Sequence, residues 1–237
     1  MGRVSHETIR QYATENPHLT NYEVGAALGV SEASVRRAFK GHHRPRLEHR
    51  VEIEKPVRLW LDHDIALAGD LHVPLTNWRF LNRFLADMKA EKVKTLGIPG
   101  DFWNADQASE FDYKQKTAGM ADEKKLGTEV MTAMLETFDH VVFSWGNHDA
   151  RYHKLIRYGL SFTETMRMLF NDVPSKLLER VTFTNLDHFW IVPYEDEAAW
   201  YVCHPKSYSS IPLTQARRLA GKHLCNVITA HSHHHAV

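Results

Sequence analysis

The sequence contains little cysteine and lacks both a long apolar segment and a net charge. Its two cysteines, Cys203 and Cys225, could pair, but a chain of 237 residues does not need a disulfide to hold its fold. We therefore expect two free thiols in a reducing compartment. No apolar run approaches the ~20 residues of a membrane-spanning helix, and the first residues show no apolar region of a signal peptide. These absences predict a cytoplasmic protein that does not bind a membrane.

The charges balance over the whole chain but are distributed unevenly along it. Lysine plus arginine and aspartate plus glutamate both number 29, so the overall composition does not indicate a polyanionic partner. Up to Arg50, eight basic and five acidic side chains leave a net charge of +3, and the remainder carries −3. The N-terminal segment is therefore mildly basic. This charge is modest for a nucleic-acid binder, because affinity rests largely on the phosphates that are neutralised.

Residues 1–44 are predicted to form a small all-α module of the helix-turn-helix type. Thr20 and Glu23 have the spacing of a capping box, in which each side chain satisfies an orphan backbone N–H at a helix start. Gly25 would allow two helices to approach closely, and Gly29 would form the turn between them. The pattern is typical of a DNA-binding module.

If this module binds DNA, the segment from Ser31 to Lys40 is its recognition helix. The residues predicted to contact DNA are Ser31, Glu32, Ser34, Arg36, Arg37 and Lys40. A small helical bundle used for protein contacts or dimerisation is the alternative interpretation. The interval 45–58 contains two prolines and no apolar periodicity, and it is predicted to be a linker to a second domain at 59–237.

In this second domain, five short apolar runs each end in side chains that can bind a metal ion. The motifs that follow these runs are Gly69-Asp70-Leu71-His72, Gly100-Asp101-Phe102-Trp103-Asn104, Gly146-Asn147-His148-Asp149, His204 and His231-Ser232-His233. Carboxylates, an amide and imidazoles gathered at strand ends are typical of a site for two metal ions.

Amphipathic segments separate these runs. A helix that Thr76 can cap and that reaches about Lys92 carries apolar side chains at i, i+3, i+4 and i+7, starting from Leu81. A second helix, at 122–138, has an apolar stripe of the same kind. Strands that alternate with helices predict an α/β layered domain.

The order of the five motifs resembles the calcineurin-like metallophosphoesterases from Ile65 to the C-terminus. The resemblance implies a two-sheet β-sandwich flanked by helices. Members of this family continue for further strands beyond the last motif, whereas this chain stops at Val237. We therefore expect either that the C-terminal strands are missing, which leaves an exposed sheet edge, or that the chain is a fragment of a longer product.

The resemblance also implies a set of metal ligands, with Asp101 bridging two ions. Asp70, His72 and His233 would complete the coordination of one ion, and Asn147, His204 and His231 would complete that of the other. Mixed oxygen and nitrogen ligands without a thiolate suit Mn, Fe, Zn or Ni, and Mn is the favoured metal.

Four further residues near the motifs are given roles by this interpretation. His148 is expected to donate a proton to the leaving group or to stabilise the transition state, with Asp149 orienting its ring. Asn104 stands where many family members carry Asp, and a supporting role is expected for it. Arg151 begins a basic cluster that is suited to a phosphate, although a solvated helix face explains such a cluster nearly as well.

The function implied by the resemblance is hydrolysis of a phosphodiester through a hydroxide shared by two divalent metal ions. Nucleic acid is one candidate substrate, since the N-terminal module would target the enzyme to DNA. A phosphomonoesterase acting on a protein or a nucleotide is an alternative, because the walls of the pocket decide the substrate. A DNA-binding regulator with an inactive phosphoesterase domain is another.

Overall fold

The computed structural model describes residues 4–16, 19–42, 55–109, 118–156, 159–193, 198–207 and 209–233. The chain divides into two compact units, Met1–Ile53 and Glu54–Val237. The predicted linker at 45–58 lies mostly outside the described residues, and its last residue, Arg58, begins a strand. Both cysteines are free thiols, as predicted. No helix in the described ranges is long and apolar enough to cross a membrane.

The described part of the first unit consists of helices, as the predicted all-α module requires. Its helices are α1 (His6–Glu15), α2 (Asn21–Leu28) and α3 (Glu32–Ala38). Ser5, Thr20 and Ser31 are their N-caps, and the predicted capping box of Thr20 and Glu23 is present. The buried core of the unit is Ile9, Ala13, Val24, Val35 and Ala38.

Two glycines shape the connection between α2 and α3. Gly29 ends α2 in the left-handed conformation, with φ at 64°, which costs glycine little. A Cβ on Gly25 would lie 2.7 Å from the carbonyl oxygen of Val30. Both roles predicted for these glycines are therefore confirmed.

The second unit is built from two four-stranded sheets and six α-helices within the described residues. Its strands are β1 (Arg58–Leu61), β2 (Ile65–Leu67), β3 (Thr95–Pro99), β4 (His140–Ser144), β5 (Val181–Thr184), β6 (His188–Pro193), β7 (Trp200–Cys203) and β8 (Asn226–Thr229). Its helices are α4 (Trp78–Ala90), α5 (Met120–Thr137), α6 (Asp149–Leu155), α7 (Phe162–Leu169), α8 (Ser175–Leu178) and α9 (Thr214–His223).

One sheet is parallel and the other is mixed. The parallel sheet has the order β2-β3-β4-β5. The mixed sheet has the order β1-β6-β7-β8, in which only the β6–β7 pair is antiparallel. The α/β class with two sheets and flanking helices is therefore as predicted. Among the described strands, β8 lies at the edge of the mixed sheet.

The two sheets pack face to face through a small apolar core. Val142 of β4 is buried in one cluster with Phe189 of β6 and Val202 of β7. Gly97 of β3 permits this approach, because a Cβ there would lie 2.6 Å from the ring of Phe189. A larger core on the other side of the parallel sheet packs against the helices, so β3 and β4 are buried on both faces, as parallel strands usually are.

Two helix boundaries differ from the predicted ones. Asn77, rather than Thr76, caps α4 through a hydrogen bond from the Phe80 N–H. The Thr76 hydroxyl instead donates to the Leu71 carbonyl oxygen at 2.7 Å, so it contributes to the preceding loop. Helix α5 begins at Met120, two residues before the predicted start.

Gly127 on α5 provides a test of this packing. A Cβ on Gly127 would overlap the ring of Trp103, which is fully buried. We expect Gly127→Ala to destabilise the protein by about 1–3 kcal/mol, as overpacking does, in urea denaturation monitored by circular dichroism. Gly221→Ala is the matched control, since a Cβ on this α9 residue meets no atom within 4 Å. Equal stability of the two variants would contradict the Trp103 packing.

Candidate metal centre

The metal-capable motifs meet because of the sheet topology. Strands β2, β3 and β4 are mutually parallel, so the loops that carry Asp70, Asp101 and Asn147 leave the same edge of the sheet. Strands β7 and β8 of the second sheet are also parallel to each other, and they deliver His204 and His231. Both sheets thus contribute side chains to one centre.

Three overlapping groups of residues in the described ranges could hold a metal ion. They are Asp70 with His72 and His233, His72 with Asp101 and His148, and Asp101 with His204 and His231. Within each group the ligand atoms lie within 4.8 Å of one another. The first and third groups correspond to the two ligand sets predicted from the sequence. Asp101 contributes to two of the groups and is 1% exposed.

The first group lies at the solvent-accessible side of the centre. The rings of His72 and His233 stack with centroids 5.3 Å apart, and His233 Nε2 lies 3.8 Å from Asp70 Oδ1. The backbone N–H of His231 donates to Asp70 Oδ2 at 2.9 Å. This contact orients the Asp70 carboxylate and ties the loop after β2 to the loop after β8.

In the third group, both ring nitrogens of His204 face oxygen atoms. His204 Nδ1 lies 3.2 Å from the Pro99 carbonyl oxygen. Its Nε2 lies 2.9 Å from Asn147 Oδ1 and 3.3 Å from Asp101 Oδ2. A neutral imidazole has a single N–H, which cannot serve acceptors on both sides of the ring. The lone pairs of His204 Nε2, Asn147 Oδ1 and Asp101 Oδ2 converge, and such an arrangement suits a bound cation.

Burial favours the neutral form of two histidines of the centre, His204 and His72. It lowers the pKa of His204 to about 3, with His231 as a further cause, and that of His72 to about 4, with His148 adding to the effect. The pKa of Asp101 is raised to about 8, first by burial and second by the neighbouring Asp149 carboxylate. A bound cation would reverse this last effect by favouring the carboxylate.

Five of the predicted ligands adopt backbone conformations that are uncommon for residues other than glycine. The φ angles are 53° for Asp70, 47° for His72, 52° for Asp101, 78° for His231 and 53° for His233. Conformations of this kind cost free energy and persist only where the surroundings enforce them, and they concentrate at functional sites. The strain is thus independent support for a functional centre at these motifs.

The glycines of the second and third motifs allow two loops to touch. A Cβ on Gly100 would lie 2.6 Å from both the N and the Cα of Gly146. A Cβ on Gly146 would overlap the Asp101 carboxylate. Glycine at both positions therefore brings the loops after β3 and β4 close enough for Asp101 Oδ1 to accept the His148 N–H at 2.8 Å.

Asp149 has a different role from the one predicted. It was expected to orient the ring of His148, but its carboxylate binds backbone N–H groups instead. Asp149 Oδ2 accepts from Asp101 at 2.7 Å and from Gly146 at 2.9 Å, and Oδ1 accepts from Trp103 at 3.0 Å. Because Asp149 is fully buried, we interpret it as the residue that fastens the two loops together.

The Asn104 carbonyl oxygen orients the His148 ring. It accepts from His148 Nδ1 at 2.7 Å and from Arg151 Nη1 at 3.0 Å. Arg151 Nη2 lies 3.1 Å from His148 Nε2, and Arg151 Nη1 lies 3.7 Å from Asp106 Oδ1. Since a carbonyl only accepts and a guanidinium only donates, His148 is neutral with its proton on Nδ1. The contribution of Asn104 to these contacts comes from its backbone.

Two of the residues that follow Arg151 make contacts away from it. Tyr152 is 3% exposed and packs edge-on against Trp103, and His153 Nε2 lies 2.7 Å from the Leu160 carbonyl oxygen. Arg157 lies outside the described residues. So do His234 and His235, which follow the last motif.

The residues predicted to bind DNA lie on α3 and its flanks, in the first unit. Arg36 and Glu32 form an ion pair at 2.6 Å on the helix surface. Arg37 donates to the Ser34 hydroxyl at 3.2 Å, and Lys40 is exposed. The Ser31 hydroxyl serves the helix as its N-cap.

Sequence reasoning missed Glu123, which lies on the buried face of α5. Its carboxylate accepts a hydrogen bond from the Ala105 N–H at 2.7 Å, in the loop that follows the second motif. The available signal was a charged side chain at the spacing of buried positions Gly127, Val130 and Met134. A carboxylate among such positions indicates a buried polar contact.

Metal binding is expected to release protons from this centre. At pH 7 the Asp101 carboxyl, with its pKa near 8, is mostly protonated, whereas His72 and His204 are already neutral. Binding of Mn²⁺ should therefore release close to one proton from Asp101 at pH 7 and almost none from it above pH 9. Isothermal titration calorimetry in buffers of different ionisation enthalpy measures this number.

His223→Ala is the control for this titration, because His223 lies on α9 outside the three metal-capable groups. It should bind Mn²⁺ and release protons as the unaltered protein does. Asp101→Asn should reduce both metal affinity and proton release. A heat of binding that is independent of the buffer at pH 7 would contradict the raised pKa of Asp101.

Comparison of the chain with protein-family models and with curated proteins gives no match. The interpretation of the centre therefore rests on its residue types, their spacing and their geometry.

Proposed function

We propose that the second unit is a dinuclear-metal phosphoesterase of the calcineurin-like type and that it hydrolyses a phosphodiester. The observation that carries this proposal is the position of the buried Asp101 carboxylate between the two ligand sets. Its Oδ2 lies 3.8 Å from His72 Nε2 of one set and 3.3 Å from His204 Nε2 of the other. The order of the motifs supports it, and so does the left-handed backbone at five of the ligands.

In this proposal the Asp101 carboxylate would contribute to the binding of two cations. Asp70, His72 and His233 would hold one cation, and Asn147, His204 and His231 would hold the other. Two bound divalent ions would supply Lewis acidity and would lower the pKa of a water nucleophile from about 15.7 towards about 7. The donor atoms are oxygens and imidazole nitrogens, which suit Mn, Fe, Zn or Ni, and we favour Mn.

Arg151 and His148 are positioned to act on the phosphoryl group. The Arg151 guanidinium is held by Asn104 and Asp106 at the border of the centre, where it can donate to a phosphoryl oxygen. An anion between Arg151 and His148 would favour a proton on His148 Nε2 as well as on Nδ1. His148 could then donate that second proton to the leaving-group oxygen.

The first unit favours nucleic acid as the substrate. We propose that α2 and α3 form a helix-turn-helix in which α3 enters the major groove. The close approach at Gly25 and the left-handed turn at Gly29 support this. The small positive charge of the segment suits a module that brings the enzyme to DNA without holding it tightly.

The catalytic proposal predicts Mn²⁺-dependent hydrolysis of bis(p-nitrophenyl) phosphate. Asp101→Ala should abolish turnover because both cations lose a ligand. His148→Ala should lower kcat about 10²- to 10⁴-fold, as removal of a general acid does, while the Mn²⁺ affinity stays within a few-fold. His223→Ala should retain full activity.

The outcomes of this assay separate the candidate functions. Faster hydrolysis of p-nitrophenyl phosphate than of the diester would favour a phosphomonoesterase. No turnover with any of the four metals would contradict the catalytic proposal, and DNA binding alone would then indicate a regulator with an inactive phosphoesterase domain.

The proposed DNA contacts predict a salt-dependent loss of affinity. Arg37→Ala and Lys40→Ala should each weaken binding of duplex DNA and reduce the slope of log K against log [salt] by about 1, measured by fluorescence anisotropy. Lys89→Ala is the charge-matched control, since Lys89 is an exposed residue of α4 in the second unit. An equal loss in all three variants would contradict a role for α3.

A further inference from the structure

Besides Asp149, a second buried carboxylate lies outside the proposed ligand set. Glu123 is 1% exposed, and an unpaired carboxylate at such a position would be costly. Its Oε1 accepts the Ala105 N–H at 2.7 Å, and the Tyr152 hydroxyl forms a second hydrogen bond to the same carboxylate. Glu123 thus joins α5 to α6 and to the loop after the second motif.

The Ala105 N–H belongs to the same peptide group as the Asn104 carbonyl. A peptide group is planar and trans, so its N–H and C=O point in opposite directions. Glu123 holds the N–H side of this plane. On the other side, the carbonyl oxygen accepts from His148 Nδ1 at 2.7 Å and from Arg151 Nη1 at 3.0 Å. Fixing one end of the plane therefore fixes the acceptor at the other end.

This peptide group lies in a strained segment. Ala105 has a φ of 52°, a left-handed conformation that costs a residue with a Cβ about 1–2 kcal/mol. Such a conformation persists only where contacts enforce it. The buried hydrogen bond from Ala105 to Glu123 is a contact of this kind.

We propose that Glu123 is a positioning residue that acts through the Asn104–Ala105 peptide group to orient His148 and Arg151. The inference rests on the proposed function of the centre and deepens it. Without Glu123 the peptide plane can rotate, the His148 ring loses its fixed acceptor, and the two side chains no longer meet a phosphoryl group in a fixed arrangement. A misplacement of about 1 Å can lower a rate by 10²-fold.

Three variants test this role kinetically. Glu123→Ala removes the acceptor, and we expect kcat for bis(p-nitrophenyl) phosphate to fall 10- to 100-fold while the Mn²⁺ affinity stays within about twofold. Glu123→Gln keeps an oxygen for the Ala105 N–H, and it should restore kcat to within about threefold. Tyr152→Phe keeps the packing on Trp103 and should give an intermediate value.

A stability control separates positioning from simple loss of folding. Met131→Ala also removes a fully buried side chain of α5, but it leaves in place the Glu123 carboxylate that accepts the Ala105 N–H. With assays run well below the unfolding temperature of each variant, Met131→Ala should retain its kcat. An equal fall in kcat for Met131→Ala and Glu123→Ala would overturn the positioning role.

The tautomer of His148 gives a readout that does not depend on activity. Nitrogen-15 NMR of the imidazole should show the proton on Nδ1 in the unaltered protein and in Glu123→Gln, and a mixture of tautomers in Glu123→Ala. Unchanged tautomer and unchanged kcat in Glu123→Ala would overturn the inference, whereas the proposed function would stand. A shifted tautomer in a protein that turns over no phosphoester would sustain the positioning role and refute the proposed function.

Discussion

The centre depends on one buried carboxylate that holds two loops together. Asp149 accepts backbone N–H groups from both the loop after β3 and the loop after β4, and hydrogen bonds to a charged acceptor contribute about 1.5–3 kcal/mol each. The contact is possible because Gly100 and Gly146 let the loops touch. The position of Asp101, and with it the two metal-capable groups that contain it, follows from this junction.

Much of the fold was predictable because its signals are local. A capping box needs only the spacing of Thr20 and Glu23, and both residues form it as expected. The motifs at the ends of β2, β3 and β4 had to converge once these strands were parallel. Where a local signal was ambiguous, the predicted helix cap was wrong. Thr76 was expected to cap α4, but its hydroxyl donates to the Leu71 carbonyl oxygen and Asn77 caps the helix.

The contacts that orient side chains were less predictable, because many of them involve the backbone. Every residue has a carbonyl, so the sequence does not mark the Asn104 carbonyl as the partner of His148 and Arg151. The role of Asp149 was assigned wrongly for the same reason, since its partners are N–H groups. Glu123 gave a weak sequence signal, which was a charged residue on an apolar helix face. Its hydrogen bond with Ala105 could not be predicted, because it depends on how α5 packs against the loop.

The candidate ligands come from two different sheets, and this has a mechanical consequence for metal binding. Asp70, Asp101 and Asn147 follow strands of the parallel sheet, whereas His204 and His231 follow strands of the mixed sheet. An ion held by both sets would be a cross-link between layers that otherwise meet through a small apolar cluster. The stability of the packed layers would then depend on the concentration of free metal, because a ligand that binds only the folded state adds RT ln(1 + [L]/Kd) to its stability. Metal supply would thereby set the folded fraction of the protein as well as the occupancy of the candidate centre.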